Sequence, residues 1–172
     1  MTSEVRPFRI GPLRLARPLV LAPLAGYSDL PFRRLCRGLG AQYCATEMML
    51  DRLVLHRGKH RNRMLATEDS DTPLAGQIIG NDPEEMAAAA TELDRLGFDV
   101  IDLNFACPVN KALKRRRGGW LMSDPDRAIA ITRAVLAATG RPVTLKCRRG
   151  FAEADGPGAC IAIAAAAYDA GA

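Results

Sequence analysis

Val100-Ile101-Asp102-Leu103-Asn104-Phe105 is a short apolar run that reads as a buried strand, and its neighbourhood decides the fold class. Just before it, Asp82-Pro83-Glu84-Glu85 places an N-cap, a first-turn proline and early acids ahead of an alanine-rich stretch ending near Gly97. That is a helix, and Leu74-Ala75-Gly76-Gln77-Ile78-Ile79 before it is another apolar strand. On the far side, Ser123-Asp124-Pro125-Asp126 repeats the capping device, a helix runs to near Gly140, and Val143-Thr144-Leu145-Lys146-Cys147 follows as a strand. Upstream, Tyr43-Cys44-Ala45-Thr46 and Leu19-Val20-Leu21-Ala22 complete five strands, and a last helix spans Ile161 to Tyr168 with Gly171 placed as its C-cap.

Strand-helix units joined by short turns predict a parallel sheet with covering helices. Doubly wound sheets and (β/α)8 barrels share that unit, and both gather ligands at the carboxyl ends of their strands. Polar or special residues end every strand here: Pro23-Leu24-Ala25-Gly26, then Glu47, Gln77, Asn104 with Cys107, and Lys146 with Arg148. Delivery of so many such residues to one rim is how a barrel enzyme builds its site, so the expected class is α/β, a (β/α)8 TIM barrel represented by about its first five β/α units. A complete barrel needs about 250 residues, against 172 here.

Composition is that of one globular domain, with 48% hydrophobic residues. No apolar run approaches the roughly 20 residues that span a bilayer and no signal-peptide order opens the chain, so no membrane partner and a cytoplasmic location are expected. Cysteines stand at 36, 44, 107, 147 and 160 without C-x-x-C spacing or a companion histidine, which predicts reduced thiols and no metal site. The net charge of +5 is segregated: residues 1–63 carry twelve basic and four acidic side chains, 64–109 one and ten, 110–172 eleven and five. Lys111, Lys114, Arg115, Arg116 and Arg117 follow the Cys107 loop, and Arg52, Arg57, Lys59, Arg61 and Arg63 follow the second strand. Either these coat solvent-facing helices or they meet a polyanion.

Ala22-Pro23-Leu24-Ala25-Gly26-Tyr27-Ser28-Asp29 with Pro31-Phe32-Arg33, Gln77-Ile78-Ile79-Gly80, Asn104-Phe105-Ala106-Cys107-Pro108, Lys111, Gly118-Gly119 before Leu121-Met122, and Lys146-Cys147-Arg148 together resemble the tRNA-dihydrouridine synthases in order and spacing. The resemblance runs from about residue 10 to the end of the chain. It implies an FMN-binding barrel of which residues 1–172 are the N-terminal part, the later strands and a helical tRNA-binding domain being absent, with tRNA as partner and NADPH as reductant. Reduction of uracil needs a hydride at C6 and a proton at C5. Cys107 is the implied proton donor, since an ordinary thiol is mostly protonated at neutral pH. Pro23, Leu24 and Ala25 are expected to contribute backbone groups and a flat contact to the flavin. Gln77 is expected to offer its amide to the pyrimidine edge of the ring, and Lys146 to stabilise negative charge there. Asn104, Lys111 and Arg148 are expected at the substrate, with both basic clusters near the pocket mouth where phosphates flanking a splayed-out uridine need cations.

Each assignment has a plainer counterpart: core packing for Cys107, a snorkelling cation for Lys146, a rim amide for Gln77 and Asn104, an ordinary strand-to-helix turn for Pro23 to Gly26. Ala106 stands where the family commonly has glycine, and Trp120 where a small residue is usual, so Trp120 is expected to crowd the substrate channel or stack on a base. Two other readings stay open: an FMN barrel acting on a small molecule, such as a dihydroorotate dehydrogenase or an old-yellow-enzyme relative, and a piece that binds RNA, or nothing, without chemistry.

Overall fold

The chain is described here from a computed structural model, which covers residues 7–172 except for the side chain of Glu153. In chain order the elements are β1 (Phe8–Ile10), β2 (Leu13–Leu15), β3 (Val20–Leu21), α1 (Leu30–Gly38), β4 (Tyr43–Ala45), β5 (Met49–Leu50), α2 (Asp51–Leu55), α3 (Lys59–Met64), β6 (Leu74–Ile79), α4 (Pro83–Arg95), β7 (Val100–Phe105), α5 (Asn110–Leu113), α6 (Pro125–Ala138), β8 (Val143–Cys147) and α7 (Gly158–Asp169). Short 3-10 turns occupy Gly118–Ser123 and Glu153–Asp155.

The main sheet runs β3-β4-β6-β7-β8, all parallel, with β5 lying beside the end of β6. Spatial order equals chain order. A doubly wound sheet reverses its order at a switch point, and no reversal occurs among the described strands, so the sheet is wound as a barrel wall. The strand period alone left these two windings open; the strand order agrees with the expected barrel.

Each strand divides its residues between two faces. On the outer face Ile101, Leu103 and Phe105 of β7 join Leu74 and Ile78 of β6, Met86, Ala89, Ala90 and Leu93 of α4, and Ala128, Ile131 and Val135 of α6 in one buried cluster. The helices assemble because their caps are sound: Asp82 accepts from the N–H groups of Glu84 and Glu85, both at 3.0 Å, and Asp124 from that of Arg127 at 3.2 Å. Gly76 lets α4 close on β6, since a Cβ there would stand 2.8 Å from the Leu93 side chain.

At the amino-terminal end the inner face is covered by the β1–β2 hairpin, whose Leu15, Leu13 and Ile10 pack with Tyr43, Ala45, Ala75 and Val100. Sequence reading, which began its strands at residue 19, missed this hairpin, although Phe8-Arg9-Ile10 and Leu13-Arg14-Leu15 alternate about Gly11-Pro12. The first predicted strand is shorter than expected, Val20–Leu21, and the last helix begins earlier, at Gly158.

Helix α1 is fastened by a buried arginine. Arg33, 1% exposed, donates from Nε to Asp71 and from its two terminal nitrogens to the carbonyls of Ser28 and Ala66, each at 2.8 Å. Arg37 takes the other oxygen of Asp71 at 2.8 Å. The arginine of the Pro31-Phe32-Arg33 motif is therefore structural.

Candidate active site

The carboxyl ends of the strands carry a chain of side-chain hydrogen bonds across the inner face. Pairing sets Gln77 beside Asp102, Asp102 beside Thr144, and Asn104 beside Lys146. Thr144 donates to one Asp102 oxygen at 2.7 Å and Gln77 Nε2 to the other at 2.6 Å. Asn104 Nδ2 donates to Gln77 Oε1 at 2.8 Å, and Asn104 Oδ1 accepts from the backbone N–H groups of Ala106 and Cys107 at 3.0 and 2.9 Å. Every amide oxygen and nitrogen in the chain has a consistent donor or acceptor role, which fixes the geometry of the Cys107 loop from strand β8 inward. Burial raises the Asp102 carboxyl above its ordinary value, opposed by the Thr144 hydroxyl, the Gln77 amide and the charge of Lys146.

Two hollows flank this chain. One, of about 340 Å³, lies on the inner face between Ala22, Pro23, Tyr43, Ala45, Thr144 and Lys146. The second, of about 220 Å³, lies at the rim between Met48, Leu50, Val109, Lys111, Arg115 and Arg117. Asn104 stands between them, its Nδ2 3.6 Å from the Met48 sulfur.

Pro23 and Lys146 thus share one hollow, with Lys146 exposed rather than buried. Gln77 is fully buried within β6, and its amide is committed to Asp102 and Asn104. Leu24 uses its backbone locally: its N–H donates to Ser28 Oγ at 2.9 Å and its carbonyl accepts from Tyr27 and Ser28 at 3.0 and 2.9 Å. The Leu24 N–H and carbonyl are thus engaged within the turn that follows Pro23. Ala25 is exposed, and Gly26, at φ 82°, donates its N–H to the Glu47 carboxylate. Lys111 lines the rim hollow, whereas exposed Arg148 lines a separate one with Arg149 and Gly150.

Cys107 is 8% exposed and lies under the turn Arg116–Gly119. A Cβ on Gly118 would come 2.8 Å from Cys107 Cβ, and Gly119 donates its N–H to the Cys107 carbonyl at 2.9 Å. Gly118 is therefore required by close approach, and a Cβ on Gly119 would press on the Cys107 carbonyl at 3.1 Å. All five cysteines are free thiols. Cys147 packs against the outer core, and burial pushes its thiol up to about 11.

The basic clusters divide. Lys111, Lys114, Arg115 and Arg116 are exposed beside the Cys107 loop, whereas Arg117 is buried, 3.8 Å from Asp51, and reaches only the lining of the rim hollow. In the second cluster Arg52 is held by Glu85 at 2.7 Å and Arg61 by Glu92 at 2.5 Å, along the flank of α4. Arg52 and Arg61 are thus paired with α4 and Arg117 with Asp51, which leaves Lys111, Lys114, Arg115 and Arg116 as the exposed cations beside the Cys107 loop. Trp120 is partly buried against the outer core with Arg116 5.5 Å from its ring centroid. Sequence reading passed over Asp102, Thr144 and Asp51; for Asp102 the signal was a carboxylate inside an apolar strand, two residues from Asn104. Among the described residues no group of side chains could hold a metal ion and no helix is long and apolar enough to cross a membrane.

A parallel barrel wall with its polar chain and two hollows at the carboxyl rim defines a β/α-barrel protein of the ligand-binding kind. Within that class the chain belongs to the dihydrouridine synthase family, whose model matches residues 20–172. It is 40% identical over 143 residues to tRNA-dihydrouridine synthase B of Pseudomonas aeruginosa, covering 83% of this chain and 43% of that protein. It is 41% identical over 144 residues to tRNA-dihydrouridine synthase B of Yersinia pestis, covering 83% and 44%, and 39% identical over 164 residues to that of Vibrio cholerae, covering 95% and 50%. The chain spans about half the length of the curated relatives it matches.

Proposed function

We propose that residues 1–172 form part of an FMN-binding barrel domain that reduces uridine in tRNA to 5,6-dihydrouridine, acting in the cytoplasm. The observation that carries this reading is the hydrogen-bond chain from Thr144 through Asp102, Gln77 and Asn104 to the Cys107 loop, beside a hollow with apolar walls and one cationic lip. Those residues fit a flat ring with one polar edge: Ala22, Pro23, Ala45 and Tyr43 supply the walls and Lys146 the charge. Ala22, Pro23, Tyr43 and Ala45 would hold the ring of FMN, which when bound and reduced by NADPH would supply the hydride for C6 of uracil, and the charge of Lys146 would ease that reduction.

The chain's own residues do the rest. Asn104 holds the Cys107 loop and stands between the two hollows, so that its amide borders a base entering from the rim. Cys107 gives its thiol proton to C5, leaving a thiolate, as C6 accepts the hydride; the C5=C6 double bond becomes single and charge balances. Arg115 and Lys111 border the rim hollow, where the phosphates beside a splayed uridine need cations. Arg148, on the other side of Gly119, meets the substrate strand beyond it. Exposed cations at this rim favour a nucleic acid over a small molecule as substrate.

The test is a single turnover with FMN reduced beforehand and an unmodified tRNA transcript. Cys107→Ala lowers dihydrouridine formation by about 10²–10⁴, the usual contribution of a general acid, while Cys36→Ala leaves it unchanged. Turnover by Cys107→Ala at the unsubstituted rate overturns the assignment.

A further inference from the structure

The turn that covers Cys107 is anchored from behind by an ion pair that the proposed chemistry does not use. Asp51, the first residue of α2, is fully buried, and its Oδ2 has no hydrogen-bond partner among the described residues. Its Oδ1 accepts from the backbone N–H of Arg52 at 2.7 Å and lies 3.8 Å from an Arg117 terminal nitrogen. Arg117 is buried as well, with Nε 3.4 Å from Asn81 Oδ1. A carboxylate out of water with an unsatisfied oxygen is costly. Burial raises the Asp51 carboxyl, while the Arg52 amide and then the Arg117 charge hold it down. Gly80 leaves room for it, since a Cβ there would collide with Asp51 Oδ2.

A second cost falls on the adjacent residue. Arg116 has φ 55°, a left-handed conformation that non-glycine residues adopt only when their surroundings impose it. Gly118 and Gly119 then bring the backbone onto Cys107. Backbone strain at Arg116 and the under-satisfied carboxylate that faces Arg117 thus converge on one turn, and that turn packs on Cys107.

We propose that Arg117 is a positioning residue whose ion pair with Asp51 locks the turn Arg116–Gly119 over Cys107 and so sets the place and accessibility of the thiol. Its bearing on turnover rests on the reading of Cys107 as proton donor; the lock itself does not, because it can be measured without flavin or tRNA.

The experiment is the rate of alkylation of each cysteine by iodoacetamide, resolved by mass spectrometry, with Cys44 and Cys36 of the same molecules as internal references. Arg117→Met and Asp51→Asn each speed alkylation of Cys107 by about tenfold relative to Cys44 and Cys36, through more frequent local opening, and the double variant is no faster than either single one. Asp51→Asn keeps the shape of the side chain and carries the test if Arg117→Met does not fold. An unchanged Cys107 rate, a parallel rise at Cys44, or additive effects in the double variant overturns the lock. With tRNA, Arg117→Met lowers kcat and leaves KM unchanged; a rise in KM alone would mark Arg117 as an RNA contact instead. If Cys107→Ala turns over normally while the alkylation pattern is as described, the lock stands and the proton-donor reading falls.

Discussion

The two faces of strand β7 are built from alternate residues of one short segment, yet they answer to different demands. Ile101, Leu103 and Phe105 are completely buried, in one apolar cluster with residues of α4 and α6. Asp102 and Asn104, interleaved with them, are tied into a side-chain chain that ends on the backbone of Cys107. Apolar burial is thus concentrated on the face the helices cover, and the polar hydrogen-bond chain on the opposite face. The lesson is that a residue's parity along the strand predicts whether its loss is felt as unfolding or as lost function.

The sharpest way to break this comparison is Phe105→Ala, which empties a fully buried site on the outer face and is expected to cost about 3–5 kcal/mol by urea unfolding. Asn104→Ala, one residue away, is expected to cost less than half as much; equal losses would show that parity carries no such division. Next comes Gln77→Leu, which leaves Asp102 and Asn104 without their shared partner at a cost of about 1–3 kcal/mol. It sharpens the comparison, because it also frees the Cys107 loop and so lowers turnover, which Phe105→Ala does not do in the protein that remains folded.

A smaller effect is expected in pH dependence. The Asp102 carboxyl is raised in the folded state, so the folded form binds its proton more tightly than the unfolded form. That contribution to stability is fully present below the ordinary aspartate value of 3.8 and is lost as pH rises through the folded value. Unfolding midpoints of the unsubstituted chain, measured against Asp102→Asn, should therefore fall as pH is raised from about 3.8 and then level off. A difference that does not change with pH would mean that Asp102 keeps its ordinary titration. Smallest of all, Arg115→Ala is expected to change stability by no more than about 0.5 kcal/mol. It should reduce the salt slope of tRNA binding by about one unit, as loss of one phosphate contact does.

The strands and the capped helices were legible because apolar runs and Asp-Pro-x-Glu or Asp-Pro-Asp starts report local physics. The winding of the sheet was not legible in the strand period, since the repeating unit is common to both architectures; it was read from the rim residues and the family resemblance, and the spatial order of β3, β4, β6, β7 and β8 agrees. Within the site, Gln77, Asn104 and Lys146 could be placed on one face by the strand period. That Gln77 spends its amide on Asp102 and Asn104 depends on register between strands, which no single segment encodes. Arg117 looked like one more member of a basic run. Its inward turn follows from Asp51, a residue far away in the chain, and from the left-handed backbone of Arg116, neither of which leaves a local mark.

The most direct test of the open face as the cofactor face is titration of the chain with FMN, followed by the change in flavin absorbance, for the unsubstituted protein, Lys146→Met and Leu103→Ala. Binding weakened about tenfold in Lys146→Met and unchanged in folded Leu103→Ala is the result expected of an inner-face flavin site. Equal binding by the unsubstituted chain and Lys146→Met, or binding by neither, would contradict it.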